Sequence, residues 1–168
     1  MEPIFHLQKE FWDYADLKEE AKVLKNEALV FETSKAIIRA VPMSSRSPAL
    51  KKLYGEFLKT YPYNFGEISM SYMYINKGEV YPYHVDNVAS TAVSNLKPVQ
   101  CTINILVSGE DNEVEFEGLG KYKYKACVFN TSHMHRITPQ SDRTIVRISF
   151  RESSYEDVVR KIQDTINT

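Results

Sequence analysis

Cysteine is scarce: Cys101 and Cys127 are the only two in 168 residues. Two thiols make neither a disulfide framework nor a thiolate-rich zinc site, and they suit a reducing, cytoplasmic setting. No apolar run approaches the ~20 residues that a membrane span needs. The opening Met1-Glu-Pro-Ile-Phe-His lacks the basic and apolar regions of a secretory signal. Neither charge is in excess, with Lys+Arg 21 against Asp+Glu 22 and a net charge of -1, so nothing global favours nucleic acid as the main partner. Internal repeats, linkers and low-complexity segments are missing as well. The chain therefore reads as one domain, residues 1–168, long enough to bury a substantial core.

Aromatic residues are plentiful, eleven Tyr and eight Phe, enough to wall a barrel that encloses a pocket. Residues 7–27 read as an amphipathic helix, with Phe11, Trp12, Tyr14, Ala15, Ala21 and Leu24 as its apolar stripe. Residues 36–41 are a short strand ended by Pro42. Ser47-Pro48 opens a second helix, Ser as N-cap and Pro at the first helical position, with Leu50, Leu53, Tyr54, Phe57 and Leu58 on one face. From Ile68 the period changes to two, and strands are expected at 68–74, 80–86, 101–107, 113–117, 121–125, 126–130, 134–138 and 144–150. Ser153-Ser-Tyr-Glu156 has a capping-box pattern and starts a last helix. The pattern predicts an α+β fold with an antiparallel sheet.

The chemistry is concentrated in Tyr81-Pro-Tyr-His84-Val-Asp86-Asn87 and in Ser132-His133-Met-His135-Arg-Ile-Thr-Pro139. His84 and Asp86 are two apart, so on a strand both leave one face. A later imidazole would complete a set of two neutral imidazoles and a carboxylate, which suits non-haem Fe(II) with open positions. His133 and His135 are both available and could share a face. Arg143 opens a strand and shares its face with Arg147. Whichever points inward needs an anion, and a guanidinium fits a carboxylate in a bidentate fork. Asn104, polar inside an apolar strand, needs a partner.

The ordered set of a Tyr-rich strand, His84-Val-Asp86, an apolar strand, Ala126-Cys-Val-Phe129, His135-Arg-Ile-Thr-Pro139 and Arg143 resembles the 2-oxoglutarate- and Fe(II)-dependent oxygenases over residues 68–150. Within that superfamily the nearest likeness is to the prolyl hydroxylases, and Phe129-Asn-Thr-Ser-His-Met-His135 is similar to a segment of the aspartyl/asparaginyl β-hydroxylases. The resemblance implies a double-stranded β-helix, a jelly-roll or cupin-like barrel, buttressed by N-terminal helices and a C-terminal helix. It implies Fe(II) on His84, Asp86 and His135, with His133 as the alternative third ligand. It also implies 2-oxoglutarate with its distal carboxylate on Arg143, Arg147 being the competitor, and further contacts from Tyr74 and Asn104. O2 is the other co-substrate. The implied reaction hydroxylates a peptidyl or free amino-acid residue, of Pro or Asn/Asp type, and releases succinate and CO2. Two other readings are a cupin-like metal-binding or isomerase domain, which has no need of Arg143, and a nucleic-acid demethylase. The balanced charge and the lack of a basic stripe stand against the demethylase, which Lys51-Lys52 and the lysines of 121–125 leave open. Residues 87–98, polar and directly after the ligands, are read as a lid or substrate contact. Both a peptide and a small molecule suit such a site as substrate.

Overall fold

The change of hydrophobic period at Ile68 marks the start of a run of strands, eight among the described residues, over residues 68–150. The computed structural model describes residues 1–32, 37–86, 97–110 and 112–167. Helix α1 (Tyr14–Leu24) is shorter than the periodicity predicts, because Asp13 accepts hydrogen bonds from the backbone N–H groups of Ala15 and Asp16 and fixes its start there. Phe11 and Trp12 therefore precede the helix. Helix α2 (Pro48–Thr60) begins where Ser47-Pro48 indicated, but the Ser47 hydroxyl makes no cap bond. It is engaged in the preceding turn, accepting from the Ser44 backbone N–H at 2.7 Å. The free N–H groups of Ala49 and Leu50 donate instead to the carboxylate of Glu20 on α1, at 2.7 and 3.1 Å. Helix α3 (Tyr155–Ile166) is capped by Ser154, which accepts from the Asp157 N–H.

The strands are β1 (Ile4–His6), β2 (Leu29–Glu32), β3 (Ile37–Pro42), β4 (Ile68–Ile75), β5 (Tyr81–His84), β6 (Cys101–Ser108), β7 (Glu113–Phe116), β8 (Gly120–Lys123), β9 (Ala126–Phe129), β10 (His135–Ile137) and β11 (Arg143–Phe150). β1 and β2, of three and four residues, are not expected from the sequence; β1 is held by pairing with the distant β9 and β2 by pairing with its neighbour β3. A large sheet runs β1-β9-β6-β11-β4-β3-β2 and a small one β5-β10-β7-β8, with antiparallel pairing throughout the described strands. From β4 onward the chain crosses between them, with β4, β6, β9 and β11 in the large sheet and β5, β7, β8 and β10 in the small one.

Alternation then assigns the two faces of the large sheet. Met70, Tyr72, Tyr74, Ile103, Ile105, Val146, Ile148 and Phe150 meet the helices through Leu17, Leu50, Leu53, Phe57, Val158 and Ile162. Fully buried members such as Leu50, Phe57, Ile148 and Ile162 each stabilise the fold by roughly 1.5–3 kcal/mol. The opposite face looks toward the small sheet. At one end Ile75, Tyr81 and Ile145 form an apolar cluster with Met73, Leu106 and Ile137. The next two cross-strand rungs are polar: Ser71, Arg147 and Asn104, then Ser69, Ser149 and Thr102. Inward polar side chains in a sheet sandwich need partners, and those partners define the site.

Candidate metal centre

His84 on β5 and His135 on β10 are antiparallel partners in the small sheet. β5 ends at His84, yet the backbone N–H of Asp86 donates to the Thr131 carbonyl at 2.9 Å. That bond holds the segment beyond the strand and keeps Asp86 beside the two rings. His84 Nε2 lies 3.1 Å from Asp86 Oδ1 and His135 Nε2 lies 3.7 Å from Asp86 Oδ2. The potential ligand atoms of the three residues all lie within 4.8 Å of one another. Both imidazoles are oriented alike, since His84 Nδ1 donates to the Pro82 carbonyl at 2.6 Å and His135 Nδ1 to the His133 carbonyl at 2.8 Å. A backbone acceptor on Nδ1 keeps a proton there, so Nε2, turned toward the carboxylate, is the nitrogen left to ligate when the ring is neutral.

The surroundings set the charges. His135 is buried against Phe129 and Phe116, and burial lowers its pKa although Asp86 opposes this. For His84 burial also disfavours the charged ring, but the hydrogen bond and charge of Asp86 outweigh it and raise the pKa. Burial pushes the Asp86 carboxyl up, whereas Arg147 and the two imidazoles together hold it well below the usual carboxylate range. An ionised carboxylate between two imidazoles that both turn Nε2 toward it is a donor set that a divalent cation can take, releasing the proton that His84 shares with Asp86.

His133 stands apart. Its Nε2 donates to the Glu117 carbonyl at 3.0 Å and its ring packs on Phe116. It bears on the centre through its own carbonyl, which orients His135.

The two arginines differ more than their shared face suggested. Arg147 reaches the centre, with Nη2 2.9 Å from Asp86 Oδ2 and Nη1 3.6 Å from the Met73 sulfur. Arg143, 3% exposed, opens β11 on the same inward row and donates through Nη1 to Asn112 Oδ1 at 3.2 Å. Four residues at about 3.3 Å each separate their Cα atoms by about 13 Å. Gly109, at φ 100°, makes room for the start of β11, since a Cβ there would fall 2.7 Å from the Arg143 Cβ. Asn104 accepts from Thr102 Oγ1 at 3.0 Å, donates to Tyr124 Oη at 3.4 Å, and is the cross-strand partner of Arg147.

Tyr74 corrects the sequence expectation. It lies on the outer face of β4, where its hydroxyl donates to the Ala21 carbonyl at 2.6 Å, so it does not line the space between the sheets. Tyr72, on the same face, donates to Glu20. Residues that the sequence did not single out are Tyr124, Thr131 and Asn112. Tyr124 lies among the lysines of 121–125, and Asn112 just before the strand expected at 113–117. Of the segment read as a lid, residues 87–96 lie outside the described residues. Among the described residues no helix is long and apolar enough to cross a membrane.

No protein-family model matches the chain, and no curated protein matches it in sequence. Solved structures do match it in shape. A Pseudomonas putida prolyl-4-hydroxylase superposes with a TM-score of 0.62 at 10% identity, over 90% of this chain and 94% of the other. A Trichoplax adhaerens prolyl hydroxylase in complex with a hypoxia inducible factor peptide fragment gives 0.63 at 10% identity, over 89% and 82%. The chain has the fold of the prolyl hydroxylases. A viral collagen prolyl hydroxylase from Paramecium bursaria Chlorella virus-1, in complex with 2-oxoglutarate, shares that fold with a TM-score of 0.59 at 15% identity, over 90% of this chain and 97% of the other. At such identities the likeness to the prolyl hydroxylases is one of fold, and the chemistry rests on the residues above.

Proposed function

We propose that the protein is a 2-oxoglutarate- and Fe(II)-dependent dioxygenase. In this reading β4 to β11 form the double-stranded β-helix of a single domain. The substrate is a prolyl, asparaginyl or aspartyl residue, in a peptide or as the free amino acid. The observation that carries the reading is the His84, Asp86 and His135 group, whose potential ligand atoms lie within 4.8 Å of one another, with Arg147 paired to its carboxylate and Arg143 further along the same row of β11. The donor set fits Fe(II): two imidazoles fixed to present Nε2 and one ionised carboxylate, with no thiolate beside them. When bound, the iron supplies O2 activation coupled to oxidative decarboxylation of 2-oxoglutarate to succinate and CO2.

The chain's own residues do the rest. His84, Asp86 and His135 hold the metal. Arg143, remote from the metal ligands on the inward row, takes the distal carboxylate of 2-oxoglutarate in a charge-assisted fork. Met73, Leu106 and Ile145, between the two arginines, flank the methylene chain and exclude water. Asn104 offers an amide near the metal-side end. A peptide substrate is supported by the complex that the Trichoplax prolyl hydroxylase forms with a peptide. Two buried free cysteines, Cys101 and Cys127, suit a reducing compartment such as the cytoplasm.

The test is aerobic incubation with Fe(II), 2-oxoglutarate and panels of Pro-, Asn- and Asp-containing peptides and free amino acids, with products read by mass spectrometry. Gain of one oxygen on one class, matched by succinate, is expected. Succinate without an oxidised product from any class would remove the amino-acid assignment.

A further inference from the structure

Asp86 already has a cation. Arg147 Nη2 sits 2.9 Å from the Oδ2 of a carboxylate whose other oxygen faces His84. A divalent ion bound by Asp86 would place two more positive charges within a few ångströms of this guanidinium, in a partly buried site where water screens poorly. Arg147 would then lack an adequate counter-charge, and a buried unpaired cation is costly.

The surroundings of Arg147 leave it capacity for another partner. Of its five N–H donors, one set serves Asp86, and among the described residues Nη1 meets only the Met73 sulfur at 3.6 Å. Its Nε is buried with no partner among the described residues. Around it the inward wall is polar where the neighbouring rung is apolar: Ser71 and Asn104 flank it across the strands, and Ser149 and Thr102 follow on the next rung.

Resting on the metal reading, we infer that Arg147 is a held counter-ion. It neutralises Asp86 in the metal-free chain and passes its guanidinium to a carboxylate ligand when a divalent cation takes Asp86, so that cation and carboxylate bind cooperatively. The carboxylate comes either from the metal-side end of the co-substrate or from a free amino-acid substrate. Coupling of this kind is reciprocal, so it can be read from the metal alone.

The experiment measures Mn(II) affinity by electron paramagnetic resonance for the wild type, Arg147→Lys and Arg147→Gln, each alone, with 2-oxoglutarate, and with L-proline. Without a carboxylate, Arg147→Gln should bind Mn(II) about tenfold or more tightly than the wild type, because a nearby positive charge is gone. Arg147→Lys should follow the wild type. The tightening of Mn(II) binding that a carboxylate produces in the wild type should shrink in Arg147→Gln. Shrinkage with 2-oxoglutarate assigns the subsite to the co-substrate, and shrinkage with L-proline assigns it to the substrate. Should the glutamine variant not fold, Arg147→Met preserves the apolar stem and repeats the comparison. If the neutral variant binds Mn(II) no more tightly than the wild type, or both carboxylates act equally on the two proteins, the inference is wrong while the metal site stands. A wild-type protein that binds no Mn(II) overturns the metal reading and this inference together.

Discussion

His84 and His135 face each other as cross-strand partners on β5 and β10, with ring centroids 4.4 Å apart. The pairing decides which late histidine can serve as third ligand, because His133 lies outside β10 and donates to the Glu117 carbonyl. Arrays with one metal per chain are therefore expected for the wild type and for His133→Ala, and none for His135→Ala, in a Mn(II) titration. Loss of binding in His133→Ala with retention in His135→Ala would reverse the assignment.

The separation of Arg143 from the metal group predicts a co-substrate effect with little metal effect. Arg143→Lys should weaken 2-oxoglutarate binding by roughly 2–5 kcal/mol, the loss expected when a buried charge-assisted contact is broken. Mn(II) binding should change little, and Arg147→Lys should affect 2-oxoglutarate much less. Calorimetric titration of the Mn(II)-loaded variants distinguishes them. An exchange of the two effects would make Arg147 the anchor of the distal carboxylate.

Tyr74→Phe should leave 2-oxoglutarate affinity unchanged, because its hydroxyl is spent on the Ala21 carbonyl behind the sheet. Its cost is expected in stability, about 1 kcal/mol for one buried hydrogen bond, read from a denaturant midpoint. A large loss of co-substrate affinity would place the side chain on the wrong face.

Glu20 joins three elements, accepting from Ala49 and Leu50 at the start of α2 and from the Tyr72 hydroxyl at 2.8 Å. Glu20→Ala should destabilise the chain by roughly 1–3 kcal/mol, since it removes a helix cap and strands a buried hydroxyl. Equilibrium unfolding at neutral pH checks this, and a change within experimental error would show that solvent replaces the carboxylate freely.

Glu79 gives a pH signature. Burial disfavours its charged form, but the Tyr81 hydroxyl at 2.7 Å and the ion pair with Arg39 outweigh this and lower its pKa. A carboxyl lowered on folding contributes stability that is fully present above its ordinary value, about 4.3, and is lost as pH falls through the depressed one. The stability difference between wild type and Glu79→Gln should thus shrink on acidification from pH ~7 toward the depressed value. A difference that stays constant with pH would mean that the ion pair does not bear on stability.

How much was legible in advance depended on whether a residue's role is set by local period or by distant partners. The alternation from Ile68 matched strands β4 to β11 nearly to their ends, but β5 stops at His84, so Asp86 is brought beside the rings by its bond to the Thr131 carbonyl and not by a shared strand face. The expectation for Tyr74 failed because a family likeness says nothing about which face of β4 looks at the helices. That face is fixed by Ala21, 53 positions away. Asp13 and Glu20 show the same limit at the helices: a cap can come from the neighbouring turn or from another helix, and the Ser47-Pro48 pattern cannot tell which. β1 and β2 exist through pairing with β9 and β3, which no short segment announces by itself.

The dioxygenase reading stands or falls on succinate formed from 2-oxoglutarate under air, measured with and without Fe(II) in the wild type and in His135→Ala. Succinate is expected only when Fe(II) and the intact histidine are both present. A wild-type protein that binds one metal per chain but neither binds nor consumes 2-oxoglutarate would contradict that reading and leave a metal-binding barrel without oxygen chemistry.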